Sequence, residues 1–270
     1  MKDLLLKNVS FSYPDNSLAV DDINLSIEGG KNVAIIGQNG AGKTTTVKMM
    51  NGLLKPTKGD VIIGDVNTRD RTTAQISRLV GYVFQNPDDQ IFHSTVRAEV
   101  AFGPKTMKLN ESEIKKRVDS ALEMTGLTKW GEENPYNLPL SIRKFVTIAA
   151  VVAMNTEILI FDEPTAGQDE SGNERLSKIL RALHEMGKTV ITISHDMEFV
   201  VSNFTDVIVM ANKKVIKVGK PEEIFWDFDT LSQANLKMPI VSDICRSLNI
   251  GSGIINMDDA VAAIMKEIKQ

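Results

Sequence analysis

The chain has 270 residues, 42% hydrophobic and 24% charged, which is typical of a globular protein with one large or two small domains. Its net charge of −4 argues against a nucleic-acid surface as the main partner, and a single cysteine, Cys245, excludes an internal disulfide. No apolar stretch approaches the roughly 18 to 20 residues of a membrane span. The apolar part of Met1–Lys7 is too short to be the core of a signal peptide. We therefore expect a soluble cytoplasmic chain, and any membrane role must come through a partner.

The amino-terminal stretch predicts antiparallel strands. Ile23–Glu28 alternates strictly between apolar and polar residues, the pattern of a half-buried strand. Leu4–Tyr13 and Val61–Ile63 have the composition of its neighbours. We therefore expect an antiparallel sheet beside the rest of the fold.

A glycine-rich loop follows an unbroken apolar run. Val33–Ile36 suits a strand buried on both faces, and Gly37–Thr45 then reads G-Q-N-G-A-G-K-T-T, a complete G-x-x-x-x-G-K-[ST] pattern. Thr44–Met50 contains no helix breaker. A strand, a glycine loop and a helix start form an anion site, because free backbone N–H groups and the helix dipole converge on a phosphate. The segment therefore predicts a nucleoside triphosphate site.

Individual positions of the loop have distinct predicted roles. Gly37, Gly40 and Gly42 allow left-handed backbone and close approach of the phosphates. Lys43 reaches the β- and γ-phosphates, and the Thr44 hydroxyl coordinates Mg²⁺. The nucleotide-binding residues predicted within the loop are Gly37, Gln38, Asn39, Gly40, Ala41, Gly42, Lys43, Thr44 and Thr45.

Three more apolar runs end in polar residues. Val80–Phe84 ends at Gln85, Ile158–Phe161 ends at Asp162 and Glu163, and Val190–Ser194 ends at His195. Ligands of parallel α/β sheets bind outside the carboxyl ends of the strands, so parallel strands would bring these side chains to the phosphate loop. The intervening segments contain the helical patterns that parallel crossovers need.

Each of these side chains also has a structural interpretation. Asp162 and Glu163 precede Pro164 and could cap a helix, Gln85 could be a loop residue, and His195 could be a hydrogen-bonded structural histidine. The phosphate loop favours function: Asp162 as the Mg²⁺ partner, Glu163 as the group that orients or deprotonates water, and His195 as a contact to the γ-phosphate or to that water. Tyr13 either stacks on the adenine ring or is a strand-end aromatic of the core.

The remaining segments are mainly helical. Asn110–Glu113 has a capping-box pattern, which predicts the start of a helix that ends at Gly126. The apolar stripe of this helix consists of Ile114, Val118, Ala121 and Leu122. A second helix is predicted over about Ser141–Met154. Val207–Met210 and Val215–Val218 predict a late hairpin around Asn212. After Pro221 come short helices, including Asp258–Ile268, which places Val261, Ile264, Met265 and Ile268 on one face.

Taken together, these residues resemble the ATP-binding cassette (ABC) ATPases over about residues 4–225. Tyr13 falls where that family stacks adenine, Gly37–Thr44 on its Walker A loop, Gln85 on the Q-loop and Ile158–Glu163 on the Walker B strand; Asp169 matches the D-loop and His195 the switch histidine. The resemblance implies ATP and Mg²⁺ as ligands, with Glu163, His195 and Gln85 as catalytic residues and Thr44, Gln85 and Asp162 at the metal.

The same resemblance implies an α/β fold: a P-loop NTPase (RecA-like) core with an antiparallel β subdomain, a helical subdomain insertion and a C-terminal helical extension. The ATPase domain would span residues 1–230, with the helical subdomain at about 90–155. Residues 231–270 would form the extension, which is similar to a dimerising segment.

Two stretches are similar to the energy-coupling factor (ECF) importers, which take up vitamins or transition-metal ions: Val83–Gln90 and Glu99–Pro104. This similarity implies an ATPase subunit peripheral to the cytoplasmic face of the cell membrane. Its partners would be a second ABC ATPase, a transmembrane coupling protein gripped near Gln85 and the Asp88–Asp89 pair, and a substrate-binding membrane component, with no nucleic acid.

The chain departs from the cassette pattern at the signature, where the family has Leu-Ser-Gly-Gly-Gln. Ungapped counting places Leu138, Pro139, Leu140, Ser141 and Ile142 there. In the family, the signature serine and glycine amides grip the γ-phosphate held by the opposite subunit. Pro139 has neither hydroxyl nor N–H, so we expect a weak clamp and favour a heterodimer; Ser141 could still cap the helix and offer a hydroxyl. The alternative is that backbone geometry alone suffices.

Three other functions compete with an importer ATPase. A nucleotide-sensing scaffold would bind ATP with little turnover, but the intact Glu163 and His195 argue against it. A cassette protein of DNA repair or translation would favour a coiled-coil insertion, tandem cassettes or a basic surface, none of which the sequence contains. A GTPase would be expected to contain the base-reading motif Asn-Lys-x-Asp. The most similar segment, Asn212–Val215, lacks the aspartate.

Overall fold

The computed structural model describes residues 1–268, which form two sheets and a set of helices. The strands are β1 (Leu4–Ser12), β2 (Leu18–Ile27), β3 (Asn32–Ile36), β4 (Lys58–Ile63), β5 (Val66–Asn67), β6 (Val80–Val83), β7 (Ile158–Asp162), β8 (Thr189–Ile193), β9 (Asp206–Ala211) and β10 (Lys214–Gly219). The α-helices are α1 (Lys43–Met50), α2 (Thr73–Ile76), α3 (Val96–Thr106), α4 (Glu111–Met124), α5 (Leu140–Ala153), α6 (Glu170–Glu185), α7 (Met197–Asn203), α8 (Pro221–Ile224), α9 (Phe228–Ala234), α10 (Ile240–Ser247) and α11 (Met257–Ile268).

The six-stranded sheet has the order β10-β9-β3-β8-β7-β6, and its five strands other than β10 run parallel. Alternate residues of β3 enter two different cores: Ala34 and Ile36 pack on the side of α3 to α6, whereas Val33 and Ile35 pack on the side of the smaller sheet. Burial on both faces explains why the strand is apolar throughout. The predicted parallel strands are confirmed.

The smaller sheet is antiparallel, with the order β2-β1-β4-β5. It comprises the three predicted amino-terminal strands and the short β5. The predicted late hairpin also forms, but it belongs to the large sheet: β9 pairs in parallel with β3, and β10 forms the edge. The hairpin therefore extends the core sheet that carries the phosphate loop.

The segment between β6 and β7 is helical and packs through α3, α4 and α5. Val118, Ala121 and Leu122 are buried as the stripe predicted, with Ile114 partly buried beside them. The Asn110 side chain caps α4 by accepting from the Glu113 amide at 2.9 Å. The Glu113 carboxylate accepts instead from Arg117 Nε at 2.7 Å, so only half of the predicted capping box forms.

The segment after Pro221 is helical and is attached to the core at its start. Phe225, Leu231 and Ala234 are buried in the same apolar cluster as the large sheet, so α9 crosses residue 230 without a break in packing. The helix expected at Asp258–Ile268 is α11, although the Ile268 side chain lies outside the described residues. Among residues 1–268, no helix is both long and apolar enough to cross a bilayer.

Candidate active site

The phosphate loop lies between β3 and α1, as predicted. Gly42 occupies the N-cap of α1 with φ +98°, and no side chain caps the helix. A Cβ at Gly42 would lie 2.6 Å from the Ala19 carbonyl, and one at Gly37 would lie 2.1 Å from the Met210 carbonyl. Both positions therefore exclude side chains, and the uncapped helix start remains open to an anion.

Lys43 is the first residue of α1 and is buried. Its Nζ donates to the carbonyls of Gly37 at 2.7 Å and Gln38 at 3.0 Å, which leaves the third ammonium proton for a phosphate oxygen. Burial lowers the pKa of Lys43, and the charges of Glu163 and Asp162 partly oppose that effect. A bound phosphate would compensate the buried charge further.

Asp162 ends β7 and is 2% exposed. Its Oδ1 lies 3.5 Å from Thr44 Oγ1, and its Oδ2 accepts from the Tyr82 hydroxyl at 2.6 Å. Burial raises the pKa of Asp162, and the hydrogen bond from Tyr82 partly opposes this rise. The pKa of Tyr82 is itself raised, first by burial of the ring and then by the neighbouring Asp162 carboxylate. A hydroxyl facing a buried carboxylate is a hard-oxygen pair of the kind Mg²⁺ uses alongside substrate phosphates, so these residues fit the ion.

Glu163 follows Asp162 with a left-handed backbone, φ +47°. Its Oε2 accepts from Gln85 Nε2 at 2.7 Å, and its Oε1 lies 2.9 Å from His195 Nε2. The residues after β6, β7 and β8 therefore meet at one carboxylate. The left-handed backbone is costly for a residue with a side chain, and it is held by the Glu163 amide, which donates to the Ile193 carbonyl at 3.0 Å.

A cavity of about 420 Å³ joins these groups. It is lined by Asn39, Gly40, Gly42, Lys43, Thr44, Thr45, Gln85, Glu163 and His195. Of the other predicted residues, Gly37 and Gln38 contribute carbonyls to Lys43, Asp162 lies behind Thr44, and the buried Ala41 shapes the loop. The predicted convergence of strand ends on the phosphate loop is thus present in the structure.

Tyr13 lies at the rim of this site. It is 41% exposed, packs edge-to-face on Phe11, and its hydroxyl is 3.1 Å from Thr45 Oγ1. The hydroxyl places Tyr13 beside the phosphate loop, while the ring stays accessible enough to stack on a base. Stacking itself remains a prediction.

Two residues that contact the site, Tyr82 and Lys144, and one that contacts the segment at the signature position, Gln168, were missed from the sequence. Tyr82 pairs in register with Ile160, so Asp162, two residues further, is on the same face of the sheet. Side chains two residues apart on a strand share a face, and a buried tyrosine hydroxyl needs a hydrogen-bond partner. These two rules could have identified Tyr82 as a neighbour of Asp162. Lys144 donates to the Gln85 carbonyl, and Gln168 Nε2 donates to the Ser141 carbonyl at 3.2 Å; both contacts depend on tertiary packing.

The segment at the signature position has a proline and a leucine where the cassette pattern has its serine and first glycine. Pro139 is the N-cap of α5 and supplies no side-chain cap, and Leu140 begins the helix 53% exposed. Ser141 is the second residue of α5, so the idea that its hydroxyl caps the helix is wrong. The start of α5 therefore presents an apolar side chain where the cassette pattern has a hydroxyl and glycine amides.

Comparison with known families decides the assignment. The sequence model of the family described as "ABC transporter" matches residues 20–166, which include the phosphate loop, Gln85 and the Asp162–Glu163 pair. The chain belongs to the ABC transporter family. Its fold is that of the ABC ATPase domain, and ATP is the nucleotide that this ATPase binds and hydrolyses.

Relatives and solved structures agree with this assignment. The energy-coupling factor transporter ATP-binding protein EcfA of Methanocaldococcus jannaschii is 39% identical over 90% of this ABC ATPase and 88% of its own length. CbiO1 of Clostridium perfringens, part of the ABC transporter complex CbiONQ, superimposes with a TM-score of 0.77 at 35% identity, covering 92% of this chain and 98% of that one. The dimeric cassette MJ0796 bound to ADP and Pi gives 0.74 at 28% identity, covering 81% and 98%.

Proposed function

We propose that this ABC ATPase is the ATP-hydrolysing subunit of an ECF-type importer for a vitamin or a transition-metal ion. The observation that carries the catalytic part is the Glu163 carboxylate, held between Gln85 and His195 beside the phosphate loop. Similarity to EcfA and CbiO1 over nine-tenths of the chain supports the transport part.

Glu163 is the general base in this proposal. Each of its carboxylate oxygens already has one partner, and an ionised carboxylate oxygen has lone pairs for a second. A water between Glu163 and the γ-phosphate can therefore donate a proton to either oxygen while Gln85 and His195 keep the carboxylate in place. General-base assistance of this kind contributes about 10² to 10⁴ in rate.

Lys43, Thr44 and Asp162 hold the triphosphate. The third Lys43 proton faces the β- and γ-phosphates, and the Thr44 hydroxyl with the buried Asp162 carboxylate holds Mg²⁺, with Gln85 at the cavity edge as a further oxygen donor. The ion neutralises phosphate charge when bound. Tyr13 stacks on the adenine from the rim.

The partners follow from surfaces outside the cavity. Phe92 and Phe102 are exposed and pack edge-to-face with centroids 4.9 Å apart, and the exposed Asp88 precedes them in the chain, in the turn Pro87–Asp89. This surface suits the transmembrane coupling protein. A substrate-binding membrane component then selects the cargo, and the subunit lies on the cytoplasmic face of the membrane.

A second ABC ATPase is the proposed nucleotide-site partner, in a heterodimer. The carboxyl-terminal extension presents two exposed apolar stripes with i, i+4, i+8 spacing: Ile240, Ile244 and Leu248 from α10 onward, and Met257, Val261 and Met265 on α11. Exposed stripes of this kind favour association. We therefore assign dimerisation to residues 231–270.

Reconstitution in proteoliposomes tests the function. The chain is combined with a second ABC ATPase, a transmembrane coupling protein and a substrate-binding membrane component from one transport system. We expect ATP-dependent uptake of a vitamin or metal ion that Phe92→Asp with Phe102→Asp abolishes, while the same double variant keeps nucleotide affinity. Assembly without uptake of any cargo, with ATP turnover intact, would contradict the importer assignment.

The alternative is a nucleotide-binding scaffold with little turnover of its own. Pro139 and the exposed Leu140 favour it, since their side chains offer no hydroxyl or other polar group to a phosphate across a dimer interface. The rate of ATP hydrolysis with and without the partner ATPase distinguishes the two functions. A scaffold would show equal, very slow hydrolysis with and without the partner ATPase, whereas the importer subunit is activated by the partner.

A further inference from the structure

We propose that Lys144 is a positioning residue: it holds the Gln85 backbone so that the Gln85 amide keeps the Glu163 carboxylate in place. The inference rests on the proposed function, in which Glu163 is the general base. It assigns a role to a buried cation that the nucleotide site itself does not use.

Lys144 lies in the second turn of α5 and is 3% exposed. Its Nζ donates to the Gln85 carbonyl and lies 3.5 Å from the Phe84 carbonyl. The β6–β7 ladder ends at the pair Val83 and Phe161, so the carbonyls of Phe84 and Gln85 lie beyond it and have no partner in that ladder. Lys144 supplies a donor from the helical insertion.

Burying an ammonium group is unfavourable unless it is paired. Burial is the main cause that lowers the pKa of Lys144, to about 8, and the charges of Asp162 and Glu163 oppose it. A methionine of similar length would fill the same space without that cost. The hydrogen bond to the Gln85 carbonyl is the contact that compensates this cost, so it, rather than packing, is the distinctive contribution of Lys144.

The neighbouring Arg143 strengthens the same connection. Its Nη1 donates to Asp88 Oδ1 at 2.6 Å and its Nη2 to the Leu138 carbonyl at 3.2 Å. Two consecutive α5 cations thus hold both ends of the segment from Gln85 to Asp88. Since Gln85 Nε2 is 2.7 Å from Glu163 Oε2, displacement of the Gln85 backbone moves the group that orients the base.

The principal test compares Lys144→Met with Lys144→Gln, which keeps a shorter donor, and with Lys115→Met, which removes an exposed lysine of the same insertion. In the chain assembled with its partner ATPase, Lys144→Met should lower kcat about tenfold, within the range that misplacement of a catalytic group costs. ATP affinity should change less than about twofold, since the phosphate contacts are untouched. Lys144→Gln should recover part of kcat, and Lys115→Met should match wild type.

A double-mutant cycle separates positioning from stability. If Lys144 acts through Gln85, then Lys144→Met should have almost no further effect on kcat in a Gln85→Ala background. A tenfold loss in both backgrounds, or a loss of ATP affinity that equals the loss of kcat, would overturn the proposal.

A readout without turnover keeps this test independent of the proposed function. Hydrogen exchange of the isolated chain should show faster exchange across residues 84–91 in Lys144→Met, with residues 33–36 unchanged. Unchanged exchange at 84–91 overturns the positioning role even if the chain hydrolyses ATP. Faster exchange together with unchanged turnover in Glu163→Gln supports the bond and rejects the proposed general-base role of Glu163 instead.

Discussion

The Gln85 side-chain amide donates to the Glu163 carboxylate at 2.7 Å, across 78 residues of sequence. The two residues follow neighbouring parallel strands, β6 and β7, whose carboxyl ends lie at the same sheet edge. His195 completes the arrangement from the next strand at 2.9 Å. The Glu163 carboxylate is thus oriented by residues of its own chain. If it is the general base, as we propose, turnover should also depend on what the opposite subunit offers the γ-phosphate.

Glu163→Gln should keep ATP binding and stop most turnover. The amide preserves the shape of the side chain and removes the base, so single-turnover hydrolysis in the reconstituted complex should fall about 10² to 10⁴-fold. Nucleotide titration of the same variant is the control, and its affinity should equal that of wild type. A loss smaller than about threefold would move the base role to another residue.

Lys43→Ala should remove most ATP binding. Lys43 is the charged group that faces the β- and γ-phosphates, and hydrogen bonds to charged groups contribute about 1.5 to 3 kcal/mol, roughly ten- to a hundredfold in Kd. Lys58→Ala, which removes an exposed lysine at the start of β4 outside the cavity lining, is a matched control that should bind normally. Equal affinities of wild type and Lys43→Ala would reject the assignment of this loop.

Sequence reasoning recovered the large sheet and the convergence of its strand ends because both follow from short local patterns. Four apolar residues in succession, Val33–Ile36, and a glycine loop at fixed spacing specify strand, turn and helix without tertiary information, and the observed strand is Asn32–Ile36. The φ angles of Gly37 and Gly42 follow from the same pattern.

Contacts made by tertiary packing were not predicted. The bond from Lys144 to the Gln85 carbonyl requires the docked position of α5, and the hairpin of β9 and β10 could be placed on the correct sheet only from its pairing with β3. The role of Ser141 was wrong for a local reason: Pro139, with its fixed φ, takes the N-cap and moves the serine into the first turn.

Asp227→Ala should destabilise the chain at neutral pH and much less in acid. The Asp227 carboxylate caps α9 by accepting from the Thr230 amide at 3.0 Å and pairs with Lys217, and these contacts hold its pKa well below the usual range. A carboxylate with a lowered folded pKa stabilises fully above its unfolded pKa of about 4 and loses that contribution as the pH falls further.

Urea unfolding of wild type and Asp227→Ala should therefore differ by about 1 kcal/mol at pH 7, the typical value of an N-cap, and the difference should shrink below about pH 4. Asp227→Asn is the matched control, since asparagine also caps helices but cannot pair with Lys217. The free energy of unfolding of Asp227→Asn should lie between those of wild type and Asp227→Ala. A difference that stays constant down to pH 2 would show that the ion pair and charged cap contribute nothing.

The final prediction concerns the two nucleotide sites of the proposed dimer. In a homodimer, each ATP would face Pro139 and Leu140 of the other copy, so the chain alone should hydrolyse ATP slowly even when concentrated enough to self-associate. A partner ATPase with an intact Leu-Ser-Gly-Gly-Gln segment should raise the rate sharply, because it completes the site that contains Glu163 of this chain.

Within that heterodimer the two sites should contribute unequally. Glu163→Gln in this chain should abolish nearly all steady-state turnover, whereas the matching change in the partner should cost much less. The partner's nucleotide would face the start of α5, where Pro139 and the 53% exposed Leu140 occupy the positions of a serine and a glycine. Converting Pro139→Ser with Leu140→Gly should narrow the asymmetry by raising turnover at the partner's site. If both glutamate variants lose activity equally, or if the isolated chain is already fast, backbone geometry suffices at this segment and the two sites are equivalent.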